Sequence, residues 1–520
     1  MERVKSYVCG EWVRGSEAAE PLRNPTTEEV IGECAAEGID YAACLEYARR
    51  KGGPVLRGMS FAARGRILER MSKITHELRD ELIELAVRNG GNTRADAKFD
   101  IDGASHTLAT YARIGEGLGD RTFVVDGEIE QLGRSPRFVG GHIAVPLTGA
   151  AVHINAFNFP AWGVAEKAAV ALLAGMPVVT RPATSTALVA ARLVEALVSV
   201  EALPAGALSF IAGGRAASLL DPLSSQDVVA FTGSRTTGEA VRGRTNVLRE
   251  SVRINVEADS LNAAVLGPDA GAAGATYDLF VRDTVHEMTQ KAGQKCTATR
   301  RIFVPAALLE RAQEDLAAGL RAVTVGDPAR RDVSMGPLVS AEQLASVREG
   351  IELLQRTCAT VHDGSEHGEL LGVEAGKGYF IAPVLLIAAA AREANIVHEH
   401  EVFGPVATLM PYNGDPAEAA CYVRLGNGGL VSSVYTDDRE FARAMVFALA
   451  PHHGRVYLGS ARVAEQAPGP GTVLPLLVHG GPGHAGGGEE LGGPRGLAFY
   501  LQRVAIEGDR PMVEKILGVS

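Results

Sequence analysis

HIAVPLTGAAVHINAFNFPAWGVAEKAAVALLAGMPVVTR, residues 142–181, is the stretch that decides the fold class. HIAVPLTGAAVHI (142–154) reads as one or two strands, and PAWGVAEKAAVALLAG (160–175) as a helix. PVVTRP (177–182) follows as a short buried strand, and TSTALVAARLVEALVSV (184–200) as a further helix. ALSFIAGG (207–214), DVVAFTG (227–233) and RINVEAD (253–259) add three short apolar strands with helical segments between them. Strand and helix in alternation predict βαβ units and a parallel sheet, in which ligands sit at the carboxyl ends of the strands.

The pattern extends in both directions. Upstream, residues 61–90 carry apolar side chains at helical spacing and stop at Asn89-Gly90. Downstream, a second α/β region opens with a helix over TYDLFVRDTVHEMTQKAG (276–293), a strand at RRIFVP (300–305) and a helix over AALLERAQEDLAAGLRAV (306–323). Near the end, HGGPGHAGGGEELGG (479–493) reads as a glycine-rich loop. LAFYLQRVAIEG (497–508) then reads as a strand that can project into a neighbouring subunit.

At 520 residues the chain calls for two or three domains. Hydrophobic content of 46% and charged content of 22% are those of a soluble globular protein. Fifty-one Lys and Arg against 62 Asp and Glu give a net charge of −11, which argues against a nucleic-acid partner. The six cysteines are scattered without CxxC pairs, so no disulfide framework is expected. Thirteen histidines, His479 among them, form no HExxH pattern, and no metal site is expected. The N-terminus lacks a signal-peptide core, and the longest apolar runs are broken by Gly or Pro. The expectation is a cytoplasmic protein without a membrane partner.

Chemistry centres on KAGQKCTATRR (291–301). Cys296 falls in the link between a helix and a strand, where loops carry function. Most free cysteines are small buried hydrophobes, but a thiolate here would be a nucleophile. Lys295, Arg300 and Arg301 supply positive charge nearby, although neighbours in sequence can point away. A base from elsewhere suits better, and Glu257 ends a strand of the parallel sheet. Alone, Glu257 reads better as an exposed strand-end acid. Asn158 precedes a helix, either as its N-cap or as an amide donor to an oxyanion. Gly233 and Ser234 sit at a strand-to-helix turn of the kind that holds phosphates, or at an ordinary turn.

Taken in order, these motifs resemble the aldehyde dehydrogenase superfamily over nearly the whole chain. The resemblance rests on NFP (158–160), VVTRPAT (178–184), FTGS (231–234), VEAD (256–259), GQKC (293–296), EVFGPV (401–406) and EELGG (489–493), all in family order. It implies a Rossmann-like cofactor domain (1–129 and 149–257), an α/β catalytic domain (258–480) and a small β oligomerisation arm (130–148 and 497–510). It also implies that Cys296 attacks the aldehyde, that the Asn158 amide holds the oxyanion, and that Glu257 activates water against the resulting thioester. Glu401 and Phe403 match residues that hold the nicotinamide ribose and ring. Lys167 and Glu490 match a pair linked to proton transfer from the base.

Three departures from the family pattern refine the expectation. The usual Glu-Leu-Gly-Gly-Lys is Glu257-Ala258-Asp259-Ser260-Leu261, and Phe157 stands where a tryptophan is usual. Thr184 stands where NAD-using members often carry a glutamate, and Arg181 replaces a lysine, which favours NADP over NAD. The glycine-rich tail, with VEADSLN and GQKCTATRR, resembles the branch that handles ring-cleavage semialdehydes in the benzoyl-CoA and phenylacetate routes of aromatic catabolism. The implied substrate is a CoA-linked semialdehyde, entering through a wide mouth with basic residues on its rim. The chain ends soon after the arm strand, so a stand-alone hydrolytic dehydrogenase is expected, as a homodimer. A general dehydrogenase of free aliphatic aldehydes is the alternative.

Overall fold

The computed structural model describes residues 2–15, 19–35, 38–201, 203–214, 216–365 and 369–518. The stretch 142–154 divides at its Leu-Thr-Gly break. Phe138–Pro146 and Ala151–Ile154 are separate strands in different sheets. Ala151–Ile154 is buried throughout and pairs in parallel with Val178–Arg181 on one side and Val228–Thr232 on the other. Leu208–Phe210 extends the sheet beyond the first partner, and Arg253–Glu257 beyond the second. Across the sheet the five strands therefore run fifth, fourth, first, second, third in chain order. Ser6–Val8 and Glu11–Val13 close one edge antiparallel. Helices on both faces bury the strands, which explains their apolar runs in place of alternation. The order reverses between the first and fourth strands, where sheets of this kind leave a crevice for ligands.

Helix Trp162–Ala174 follows the first strand and is almost wholly buried. Its first amides, from Ala161 and Trp162, donate to the Asp100 carboxylate at 3.2 and 2.8 Å, so the cap comes from another helix, Arg94–Leu118. At the other end Gly175 takes φ 101°, and a Cβ there would lie 2.0 Å from an Arg64 nitrogen that caps the Ala174 carbonyl. The helix expected over 61–90 is two, Phe61–Glu77 and Arg79–Gly90, turning at Leu78. Apolar spacing continues across the joint, so periodicity does not reveal it.

In the second sheet, Ala263–Leu266 lies between Arg301–Pro305 and Gly429–Tyr435, all parallel. Val406–Tyr412 and Val384–Ile387 extend one side, and His453–Gly459 the other. Ahead of Arg301–Pro305, helix Ala275–Thr289 gives way to a tight turn in which Lys291, Ala292 and Gly293 all take left-handed φ of 55°, 53° and 69°. That conformation costs about 1–3 kcal/mol at each non-glycine residue and persists only where surroundings enforce it. Here the carbonyl of Gly404, in EVFGPV, would sit 2.1 Å from a Cβ on Gly293. Two separated motifs thus pack backbone to backbone, and Cys296 is delivered from between them.

Val124–Gln131, Phe138–Pro146 and Leu501–Asp509 make a separate three-stranded antiparallel sheet. The last strand begins at Leu501 instead of 497, because Leu497 and Tyr500 are drawn into the main core and Gly493–Phe499 coils as a 3-10 turn. The glycine-rich segment also differs from an open loop. Val478–Gly481 pairs antiparallel with Gly488–Leu491, and glycines allow the contact: a Cβ on Gly480 would lie 2.0 Å from the Gly488 carbonyl. No helix among the described residues is long and apolar enough to cross a membrane.

Candidate active site

Glu257 ends its strand facing the crevice, 2% exposed. Cys296 approaches from the link before Arg301–Pro305, and Asn158 from the segment after Ile154. All three line one narrow cavity of about 40 Å³. Asn158 is not the cap of the following helix, since that helix starts at Trp162 and Asp100 satisfies its amides. Its side chain is left to face the cavity. Phe99, Phe159, Trp162 and Val473 supply the apolar part of the remaining wall. Lys167 and His479 are the basic side chains among the lining residues, and Lys167 faces Glu490 and Glu166 at 3.2 Å each.

A fourth residue joins them that sequence reasoning left without a role. The Nε2 atom of His479 lies 2.9 Å from Glu257 Oε2 and 4.0 Å from Cys296 Sγ, and the three donor atoms all fall within 4.8 Å of one another. Burial alone would lower the imidazole's pKa, but the Glu257 carboxylate overrides it and raises it. Burial acts to raise Glu257, and His479 and then Lys167 more than offset this, holding it below the usual carboxylate range. Burial, then the Glu257 and Glu166 carboxylates, push the Cys296 thiol up. On the pairing of Val478–Gly481 with Gly488–Leu491, His479 stands directly opposite Glu490. Glu490 accepts from Asn255 at 3.1 Å, and burial raises its pKa.

The basic residues flanking Cys296 in sequence point elsewhere. Lys295 Nζ lies 2.5 Å from Glu287 and donates to Gln290 at 2.6 Å, both ion-pair side chains fully buried. Arg300 binds Glu401 and the Gly404, Gly293 and Lys295 carbonyls. Arg301 binds the Leu261 and Val423 carbonyls. These contacts build the loop and do not touch the thiol. Lys295→Met would strand the buried Glu287 carboxylate, so a loss of about 3–5 kcal/mol in urea unfolding is expected. The double variant with Glu287→Leu should recover most of it.

Comparison with known proteins agrees with this assembly. The family model described as "Aldehyde dehydrogenase family" matches residues 12–506. The chain belongs to the aldehyde dehydrogenase family. It is 43% identical over 480 residues to a 3,4-dehydroadipyl-CoA semialdehyde dehydrogenase from Aromatoleum evansii, covering 92% of this chain and 93% of that one. A glutarate-semialdehyde dehydrogenase from Pseudomonas putida is 28% identical, covering 96% of each chain. Among solved structures, 3,6-anhydro-L-galactose dehydrogenase shares the fold at a TM-score of 0.84 and 22% identity, over 97% of this chain and all of that one.

In this aldehyde dehydrogenase several of the residues expected at the cofactor are already engaged within the fold. Arg181 ends its strand and donates through Nε to the Gly213 carbonyl and through a terminal nitrogen to that of Gly214. Thr184 opens the short turn that follows. The Gly233 amide donates to the Glu257 carbonyl at 3.1 Å, so it is not free for a phosphate. Ser234 caps helix Arg235–Arg242, whose first amide already binds the Asp259 carboxylate at 2.9 Å. Glu401 also accepts from the Ser260 amide at 2.9 Å, and burial pushes its pKa up to about 7. Phe403 meets Phe157 edge to face at 5.8 Å, filling the place of the usual tryptophan. The residues fit a nicotinamide dinucleotide in one further respect. Thr232 Oγ1, on the cavity wall, is buried and has no hydrogen-bond partner among the described residues.

Proposed function

We propose that this aldehyde dehydrogenase oxidises a CoA-linked semialdehyde of the 3,4-dehydroadipyl-CoA semialdehyde type to the carboxylic acid, hydrolytically and with NADP, in aromatic-compound catabolism. The observation that carries the chemistry is the meeting of Cys296, Glu257 and Asn158 on one enclosed cavity. The 43% identity to the Aromatoleum relative supports the substrate.

Cys296 Sγ attacks the aldehyde carbon and forms a thiohemiacetal. The Asn158 amide and the Cys296 backbone N–H hold its oxyanion, the kind of preorganised donor pair that supplies a large share of acyl-transfer catalysis. A bound nicotinamide supplies the hydride acceptor. Cys296 is left carrying a thioester, and Glu257 takes a proton from water as that water attacks the thioester carbon. The acid leaves and the thiolate returns. Lys167 and Glu490, buried against one another behind Glu257, take the proton onward. Glu401, Phe403, Thr232 and the turn at Gly233 and Ser234 would hold the nicotinamide half. Arg181 and Thr184 would stand at the adenosine ribose, where a small hydroxyl would leave room for a 2′-phosphate. A homodimer through the sheet of Phe138–Pro146 and Leu501–Asp509 is the assembly we favour, since Phe138 and Val504 are exposed on it.

The cofactor reading predicts higher kcat/KM with NADP than with NAD. Thr184→Glu, by placing a carboxylate against the 2′-phosphate, should move that ratio toward NAD by ~10-fold or more. An unaltered ratio would remove Thr184 as its determinant. The narrow apolar cavity favours a second reading, oxidation of free aliphatic aldehydes. Rates with a CoA-linked semialdehyde and the same semialdehyde without CoA separate the two. A strong preference for the CoA form supports the first, and equal rates replace it with the second.

A further inference from the structure

A buried thiol beside a buried carboxylate is a poor acid, because forming the thiolate adds charge to a site that already holds one. With Lys295, Arg300 and Arg301 engaged elsewhere, the cation-capable side chain in contact with Sγ among the described residues is His479. One nitrogen, Nε2, faces both the sulfur and the carboxylate. It lies 2.9 Å from Glu257 Oε2 and 4.0 Å from Sγ, so a small rotation of the ring shifts the N–H from one to the other.

We propose that His479 is the counter-charge of the nucleophile: its Nε2–H pairs with Glu257 at rest and turns to Cys296 Sγ when the thiol proton passes to Glu257. In that step the Sγ–H bond breaks, the electron pair stays on sulfur, and an O–H bond forms on Glu257. The trio begins as thiol, imidazolium and carboxylate and ends as thiolate, imidazolium and carboxylic acid. Its net charge is zero throughout, so no uncompensated charge appears in the buried site. Without the imidazolium, the same transfer leaves a bare buried thiolate.

The other charged groups facing His479 come from separate elements. Glu166, on helix Trp162–Ala174, favours the imidazolium, and Arg455, on strand His453–Gly459, opposes it. Arg455 donates to the Pro470 and Thr472 carbonyls, which hold it in place beside the loop. The Glu257 carboxylate, in direct contact, outweighs it.

The inference rests on Cys296 being the nucleophile, and the test keeps the two apart. Cys296 in the full-length enzyme is alkylated with iodoacetamide across pH and followed by peptide mass, because Cys9 and Cys421 are exposed and react too. His479→Gln should slow Cys296 alkylation at pH 7 by ~10-fold or more and displace the whole profile upward by about one pH unit. The reduced-cofactor burst should slow in parallel. In His479→Ala, added imidazole should restore part of both, which a purely structural role would not allow. His479→Asn serves if His479→Gln does not fold. An unmoved profile in a folded variant overturns the proposal, with Cys296 still essential. Undiminished aldehyde oxidation by Cys296→Ala would instead remove the nucleophile, and this proposal with it.

Discussion

Cys296→Ala is expected to lose aldehyde-dependent NADP reduction by about 10⁴-fold or more, while the protein stays folded. The size follows from the role, since removing a nucleophile removes the covalent route altogether and leaves only binding and the oxyanion donors. Stability should change little, because the sulfur faces a cavity and is not packed in a core. Among the described residues its side-chain partners are His479, at 4.0 Å, and the Glu257 carboxylate. The other five cysteines lie outside the cavity lining, so none can substitute. Steady-state assay beside a thermal melt checks both halves. Native-like turnover in the variant would end the thioester account.

The second large effect separates the two half-reactions. Glu257→Gln should release about one reduced cofactor per active site as a slowed burst, the thiol proton then leaving to solvent, and afterwards turn over about 10²–10⁴-fold more slowly. The amide is isosteric and remains 2.9 Å from His479, so positioning is kept while the capacity to accept a proton from the thiol or from water is lost. A thioester then accumulates on Cys296. Stopped-flow absorbance resolves burst from steady state. A full steady-state rate would remove Glu257 as the base, and absence of both phases would make it indispensable to acylation, with no solvent route for the thiol proton.

How far the sequence carries depends on what each signal measures. The five parallel strands were legible because strands buried on both faces are short apolar runs bounded by Gly or Pro, as in Val178–Arg181 and Val228–Thr232. The helix-to-strand link around Cys296 was legible for the same reason. The joint at Leu78 was not, because two helices that bury one continuous face keep one periodicity. Glycines hid the pairing of Val478–Gly481 with Gly488–Leu491, since residues chosen for backbone approach carry no strand propensity. Within the site, the carboxylate and the thiol came from motif order. The direction of Lys295, Arg300 and Arg301 could not, because adjacency in sequence does not fix where a side chain points. His479 lay beyond reach for a simpler reason. It is 183 positions from Cys296, and only the fold brings the imidazole to the sulfur.

The most direct test of the account is the intact and peptide mass of Glu257→Gln after one turnover with aldehyde and NADP. The account predicts an added mass equal to the acyl group, located on the peptide that carries Cys296 and lost on treatment with hydroxylamine. Reduced cofactor formed in stoichiometric amount with no acyl group on that peptide would contradict it.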